Sequence, residues 1–109
     1  MKKYDISDKL EIIKKAILNA VPTLKIYLFG SYAYGKPTKN SDIDIYIIIP
    51  DDYKNSLTYM MEKTLSNIND NNFPFVDLFF VKESKYLRCI KYSSFEQNIC
   101  KKGILLYEN

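Results

Sequence analysis

Apolar positions along this 109-residue chain recur in two periods, and the switches between them mark out its elements. From Asp8 to Ala20 the residues Leu10, Ile13, Ile17 and Ala20, joined by Ile12 and Ala16, fall at helical spacing and stop before Pro22. Asp8 followed by Glu11 is similar to a capping box and sets the expected start of that helix. Residues 24–29, Leu-Lys-Ile-Tyr-Leu-Phe, then predict a strand running straight into Gly30-Ser31, with Tyr32 to Tyr34 as a short helix. Residues 43–49 predict a central strand, because Tyr46-Ile47-Ile48-Ile49 is apolar on both faces. After the turn at Pro50-Asp51-Asp52, residues 53–68 predict a helix with Leu57, Met60, Met61, Leu65 and Ile68 in the core, the methionines as filler. Asp70 to Pro74 is a loop, residues 75–81 are a strand, and residues 84–101 are a last helix carrying Leu87, Ile90, Phe95 and Ile99. A short apolar strand near Ile104 to Tyr107 closes the series. This order predicts an α/β domain: a mixed, twisted sheet of about four strands, helices mainly on one face, and an open face free for a site.

Two carboxylates share one side of the central strand. Alternation puts Asp42 and Asp44 on the same face with Cα atoms ~6.5 Å apart. At an effective dielectric of ~20 such a pair repels by roughly 2.8 kcal/mol, and a divalent cation would reverse the sign. Hard oxygen ligands suit Mg²⁺ or Mn²⁺. Asp77 is the only charge in the apolar run 75–81 and needs a partner of its own. Placed beside 43–49, it completes a three-carboxylate site of the kind used for in-line phosphoryl displacement, and it is the natural proton acceptor. The chain has no His, which excludes imidazole bases, His-ligated zinc and a Ser-His-Asp triad.

Gly30 permits positive φ and close approach of a phosphate to the backbone, and Ser31 adds a hydroxyl donor or cap. The corner is neither a Walker loop nor a dinucleotide fingerprint, since both glycine patterns are absent.

Composition narrows the picture further. A chain this long, 47% hydrophobic, supports one core, burying ~65% of its unfolded surface, so a single domain over residues 1–109 is expected. Net charge is +3, and setting aside the three candidate ligands leaves 16 basic against 10 acidic groups, an excess that favours nucleotide or an acidic partner. The excess is almost all Lys spread along the chain, so charge alone discriminates little. Cys89 and Cys100, read as eleven residues apart on one helix, would stand ~16 Å from each other and stay free thiols. No zinc spacing is present, and neither a secretory core after Met1-Lys2-Lys3-Tyr4 nor an apolar run of ~18 residues occurs, so a cytoplasmic location is expected.

The pattern Gly30-Ser31-x3-Gly35-x5-Ser41-Asp42-x-Asp44, followed by Asp77 in an apolar strand, resembles the minimal nucleotidyltransferases of the DNA-polymerase-beta-like superfamily. The resemblance extends to the leading helix and to the close Ile99 to Tyr107. It implies a nucleotidyltransferase fold and Mg²⁺- or Mn²⁺-dependent transfer of AMP from ATP to a hydroxyl. Gly30, Ser31, Ser41 and Lys36 would bind the nucleotide, Asp42 and Asp44 the metals, and Asp77 would complete the site and activate the acceptor. Where many members carry Arg in the turn, this chain has Tyr32 and Tyr34, so Lys36 or Lys39 would replace that contact, and either Tyr offers a face for a base. The resemblance further implies a HEPN-domain toxin as partner in a hetero-oligomer, its Tyr hydroxyl the acceptor, with this chain as antitoxin and nucleic acid not the direct substrate. Two alternatives stand beside this: an antitoxin or adaptor that binds without transfer, and a nucleotidyltransferase acting on an aminoglycoside-like small molecule.

Overall fold

The chain, seen in a computed structural model that describes residues 5–38, 40–70 and 73–109, folds around β2 (Ile43–Ile49). Before it come α1 (Ser7–Ala20), β1 (Lys25–Phe29) and the four-residue α2 (Ser31–Tyr34); after it come α3 (Leu57–Ser66), β3 (Val76–Lys82), α4 (Glu83–Tyr92), α5 (Ser94–Lys102) and β4 (Ile104–Glu108). Lys39 and Met1 to Tyr4 lie outside the described residues. The strands form one mixed sheet in the order β3-β2-β1-β4. β1 runs antiparallel to both β2 and β4, whereas β2 and β3 are parallel and therefore need a crossover, which α3 supplies. The α/β class and the four-stranded mixed sheet expected from the sequence are what the chain forms.

Alternation sorts the side chains onto two faces. Ile26, Leu28, Ile43, Ile45, Ile47, Ile49, Val76 and Leu78 cluster with Ile13, Ile17 and Ala20 of α1 and Met60 of α3. Tyr27, Phe29, Tyr46 and Ile48 cluster on the other face with Tyr86 of α4 and Ile99 of α5. The expectation of helices mainly on one face is thereby corrected. Because β2 is apolar on both sides, each side requires cover, and α4 and α5 provide the second layer. They leave the start of β2 and β3, with Asp44 and Asp77, only partly covered.

Helix ends differ from expectation for local reasons. α1 begins at Ser7, where Asp5 Oδ1 accepts from the Ser7 N–H at 2.9 Å, and Glu11 pairs with Lys14 at 3.2 Å instead of closing a capping box. α3 begins at Leu57 because Ser56 caps it, its Oγ accepting from the Tyr59 N–H at 3.0 Å. Its buried residues are Met60 and Thr64, one helical turn apart, so Met60 is core filler while Leu57 and Leu65 are exposed. The last helix is two: Ser93 is extended (φ −100°, ψ 122°), and the Gln97 side chain donates to the Ile90 carbonyl at 3.0 Å across the break. Serine is a poor interior helix residue, and the bend lets both pieces press Tyr86 and Ile99 onto the same sheet face. Of the apolar residues the sequence sets on that last helix, Leu87 and Phe95 are exposed. Cys89 and Cys100 accordingly lie on different helices, so the single-helix distance does not apply; both are free thiols.

One polar bond sits inside the second core. The Tyr46 hydroxyl donates to buried Glu96 Oε2 at 3.0 Å, tying α5 to the centre of the sheet. Burial, then the bond to Glu96, pushes the Tyr46 pKa well above its ordinary 10.0. Tyr46→Phe removes the donor and strands a buried carboxylate, so it is expected to cost about 1–3 kcal/mol, read as a lower urea midpoint with unchanged slope.

Candidate active site

β1 delivers the chain to Gly30, which holds φ 76° and ψ −150°, a conformation glycine adopts without penalty. Space enforces the same choice. The antiparallel register sets Phe29 opposite Asp44, and a Cβ on Gly30 would collide with the Asp44 carboxylate. After the turn, the Ala33 and Tyr34 N–H groups each donate to the Gly30 carbonyl at 3.0 Å, starting α2 at Ser31.

β2 and β3 supply the acids. Their parallel register puts Asp44 directly beside Asp77, on strands about 4.8 Å apart. Asp42 precedes β2 by one residue and is exposed. Burial first, then the charge of Asp77, then that of Asp42, raises the Asp44 pKa above its ordinary 3.8. Both other acids therefore act on Asp44.

The donor set is hard oxygen, which fits Mg²⁺ or Mn²⁺. Among the described residues, though, no three acidic or cysteine side chains gather closely enough to hold a metal ion unaided. The three-carboxylate cluster expected from the sequence is therefore not closed here: Asp44 and Asp77 stand side by side, and Asp42 lies exposed just before β2.

The other expected site residues are placed differently. The Ser41 Oγ accepts from the Thr38 N–H at 2.8 Å, and the Ser41 N–H donates to the Thr38 carbonyl at 3.0 Å, so this serine fastens the loop leading into β2. Lys36 is exposed and, with Tyr32, Leu10 and Ile104, lines a cavity of about 540 Å³ that none of the three acids borders. Lys39 lies outside the described residues.

The aromatic floor beneath the acids was not foreseen. Phe29 meets Phe79 and Phe95 edge to face, with ring centroids 5.3 and 5.4 Å apart, and Tyr46 lies 6.3 Å from Phe29. Phe79 follows Asp77 by two residues and Tyr46 follows Asp44 by two, so strand alternation alone carried the signal. These rings stand next to Asp44 and Asp77 on the same sheet face, and burial is the largest cause of the raised Asp44 pKa.

Comparison with known proteins agrees with this geometry. The family profile described as polymerase beta, nucleotidyltransferase, matches residues 11–109. The protein adenylyltransferase MntA of Shewanella oneidensis is 37% identical over 67 residues, 61% of this chain and 48% of that protein. The matched segment thus spans about half the length of this curated relative. A crystal structure of a toxin-antitoxin with AMP-PNP superimposes with a TM-score of 0.62 at 27% identity, covering 92% of this chain and 73% of the other. A candidate nucleotidyltransferase from Sulfolobus solfataricus shares the fold, with a TM-score of 0.59 at 22% identity over 100% of this chain and 93% of its own.

The raised Asp44 pKa has a testable sign. The folded state binds the Asp44 proton more tightly than the unfolded chain, so ionised Asp44 costs stability, and the cost appears as pH rises from the ordinary 3.8 through the raised folded value. In metal-free protein, Asp44→Asn is expected to raise the melting temperature at pH 7, with the gain vanishing below about pH 4. Melting curves across that range check it.

Proposed function

Because the chain belongs to the polymerase beta nucleotidyltransferase family, we propose that it transfers AMP from ATP to a tyrosyl hydroxyl of a HEPN-domain toxin and serves as its antitoxin. The observation that carries this reading is the register of β2 and β3, which sets Asp44 beside Asp77 within reach of the Gly30 corner. The likeness to a protein adenylyltransferase and to a toxin-antitoxin with AMP-PNP supports the choice of nucleotide and of acceptor class.

In this mechanism Gly30 and Ser31 receive the triphosphate through the backbone of the strand-to-helix corner, where the positive φ of Gly30 turns the chain and the Asp44 carboxylate packs close against it. The four-residue α2 adds little dipole of its own. Asp42 and Asp44 would hold Mg²⁺ or Mn²⁺ together with the phosphates, and the ion when bound neutralises their mutual repulsion and the charge of the reacting phosphoryl group. Asp77 takes the proton of the acceptor hydroxyl. The acceptor oxygen then bonds to the α-phosphorus, the bond from that phosphorus to the bridging oxygen breaks, and pyrophosphate leaves on the opposite side. Lys36, facing another cavity, contributes long-range positive charge at most. Ser41 contributes by fixing the loop before Asp42. No helix among the described residues is long and apolar enough to cross a membrane, and the reaction is assigned to the cytoplasm, where ATP is supplied.

Incubation with labelled ATP, Mg²⁺ and the product of the neighbouring gene tests the proposal. Label is expected on the partner, lost on chelation, and at least about 100-fold slower to appear with Asp42→Asn plus Asp44→Asn while the fold persists by circular dichroism. An unmodified partner held in a neutralised complex would instead make the chain a binding-only antitoxin, and label on an added aminoglycoside alone would make it a small-molecule enzyme.

A further inference from the structure

β3 is an edge strand, and on the face that carries Asp77 the next side chain along it is Phe79. Phe79 is 38% exposed and Phe95 of α5 is 41% exposed, their ring centroids 6.2 Å apart, and both rest on buried Phe29. Two half-open rings on a fixed aromatic base form a shelf one alternation step, about 7 Å, from Asp77. Buried apolar packing does not account for the open sides of these rings.

We propose that Phe79 and Phe95 are the acceptor platform, taking the phenol ring of an acidic polypeptide and bringing its hydroxyl to Asp77; this rests on the transfer reaction proposed above. In-line displacement decides which reactant lies there. The leaving pyrophosphate sits at Gly30 on the β1 side, so the attacking oxygen enters from the opposite side, across β3. A phenol is flat and apolar up to its hydroxyl, matching ring faces that lead to a carboxylate. Charge selects a polypeptide of acidic character over a small cationic sugar. α4, joined to α5 and its Phe95 through Ser93, carries exposed Lys85, Arg88 and Lys91 against its own Glu83 and against Asp51, which accepts from the Ser84 N–H and faces the Arg88 charge.

Steady-state transfer to the HEPN-domain partner, together with partner binding measured by calorimetry without ATP, tests the platform. Phe95→Ser and Phe79→Leu are expected to raise the acceptor KM and the ATP-free Kd by about tenfold, with the ATP KM within twofold of wild type. Phe79→Tyr is expected to restore both, since it keeps the ring. Phe79→Leu retains apolar bulk, and Phe95→Ser changes a residue already exposed, so a folded protein remains to be measured. Variants with a wild-type acceptor KM and Kd would overturn the platform. A rise in the ATP KM instead would overturn it too, giving the shelf to adenine. The two proposals fail separately. Loss of partner affinity in these variants, even when wild type transfers no label, would sink the reaction and keep the docking surface.

Discussion

The pairing register between β2 and β3 is the constraint on which the site depends. A shift by one residue would turn Asp77 to the α1 face and bring Val76 or Leu78 out beside Asp44. What prevents the slip is not the carboxylates, which repel, but the apolar residues that alternate with them. Ile43, Ile45 and Ile47 on one strand and Val76 and Leu78 on the other must all face α1 and α3, and this holds two like charges together in register. The molecule thus uses hydrophobic burial to maintain an electrostatic arrangement that its charges alone would disperse.

The second core has the complementary task. Phe29, Tyr46, Phe79 and Phe95 gather on the sheet face that carries Asp44 and Asp77, and α5 is held there by the bond from Tyr46 to Glu96. The result is a half-buried carboxylate at the start of β2, close against Gly30 and with aromatic residues following it on the same sheet face. Such a group gains most from a cation that arrives already bearing phosphates, because the ion relieves repulsion without the protein having to build a complete cage. Gly30 completes the arrangement by standing so near Asp44 that no side chain fits between them.

Much of this is legible in the sequence. The alternation that sets Asp44 two residues from Tyr46, and Asp77 in an apolar run, is local and therefore readable, as is the need for glycine at a strand-to-helix corner. The break at Ser93 was not, because Leu87, Ile90, Phe95 and Ile99 look like one stripe until two helices have to fit one sheet face. For the same reason the two-sided cover of the sheet is not legible: burial of Tyr46 and Ile48 depends on α4 and α5, which begin more than thirty residues after β2. Ser41 and Lys36 followed from a motif, and their side-chain directions are set by the loop, with Ser41 turned to Thr38 and Lys36 to the cavity under α1. Spacing along a chain carries no information about such turns.

The central claim is that these acids bind a divalent ion and a nucleotide as one unit. Calorimetric titration of Mn²⁺ into the protein, with and without AMP-PNP, addresses it most directly. The account predicts weak Mn²⁺ binding alone, much tighter binding when the nucleotide is present, and loss of that coupling in Asp44→Asn. Nucleotide binding of equal strength with and without the metal, or coupling that survives in Asp44→Asn, would contradict it.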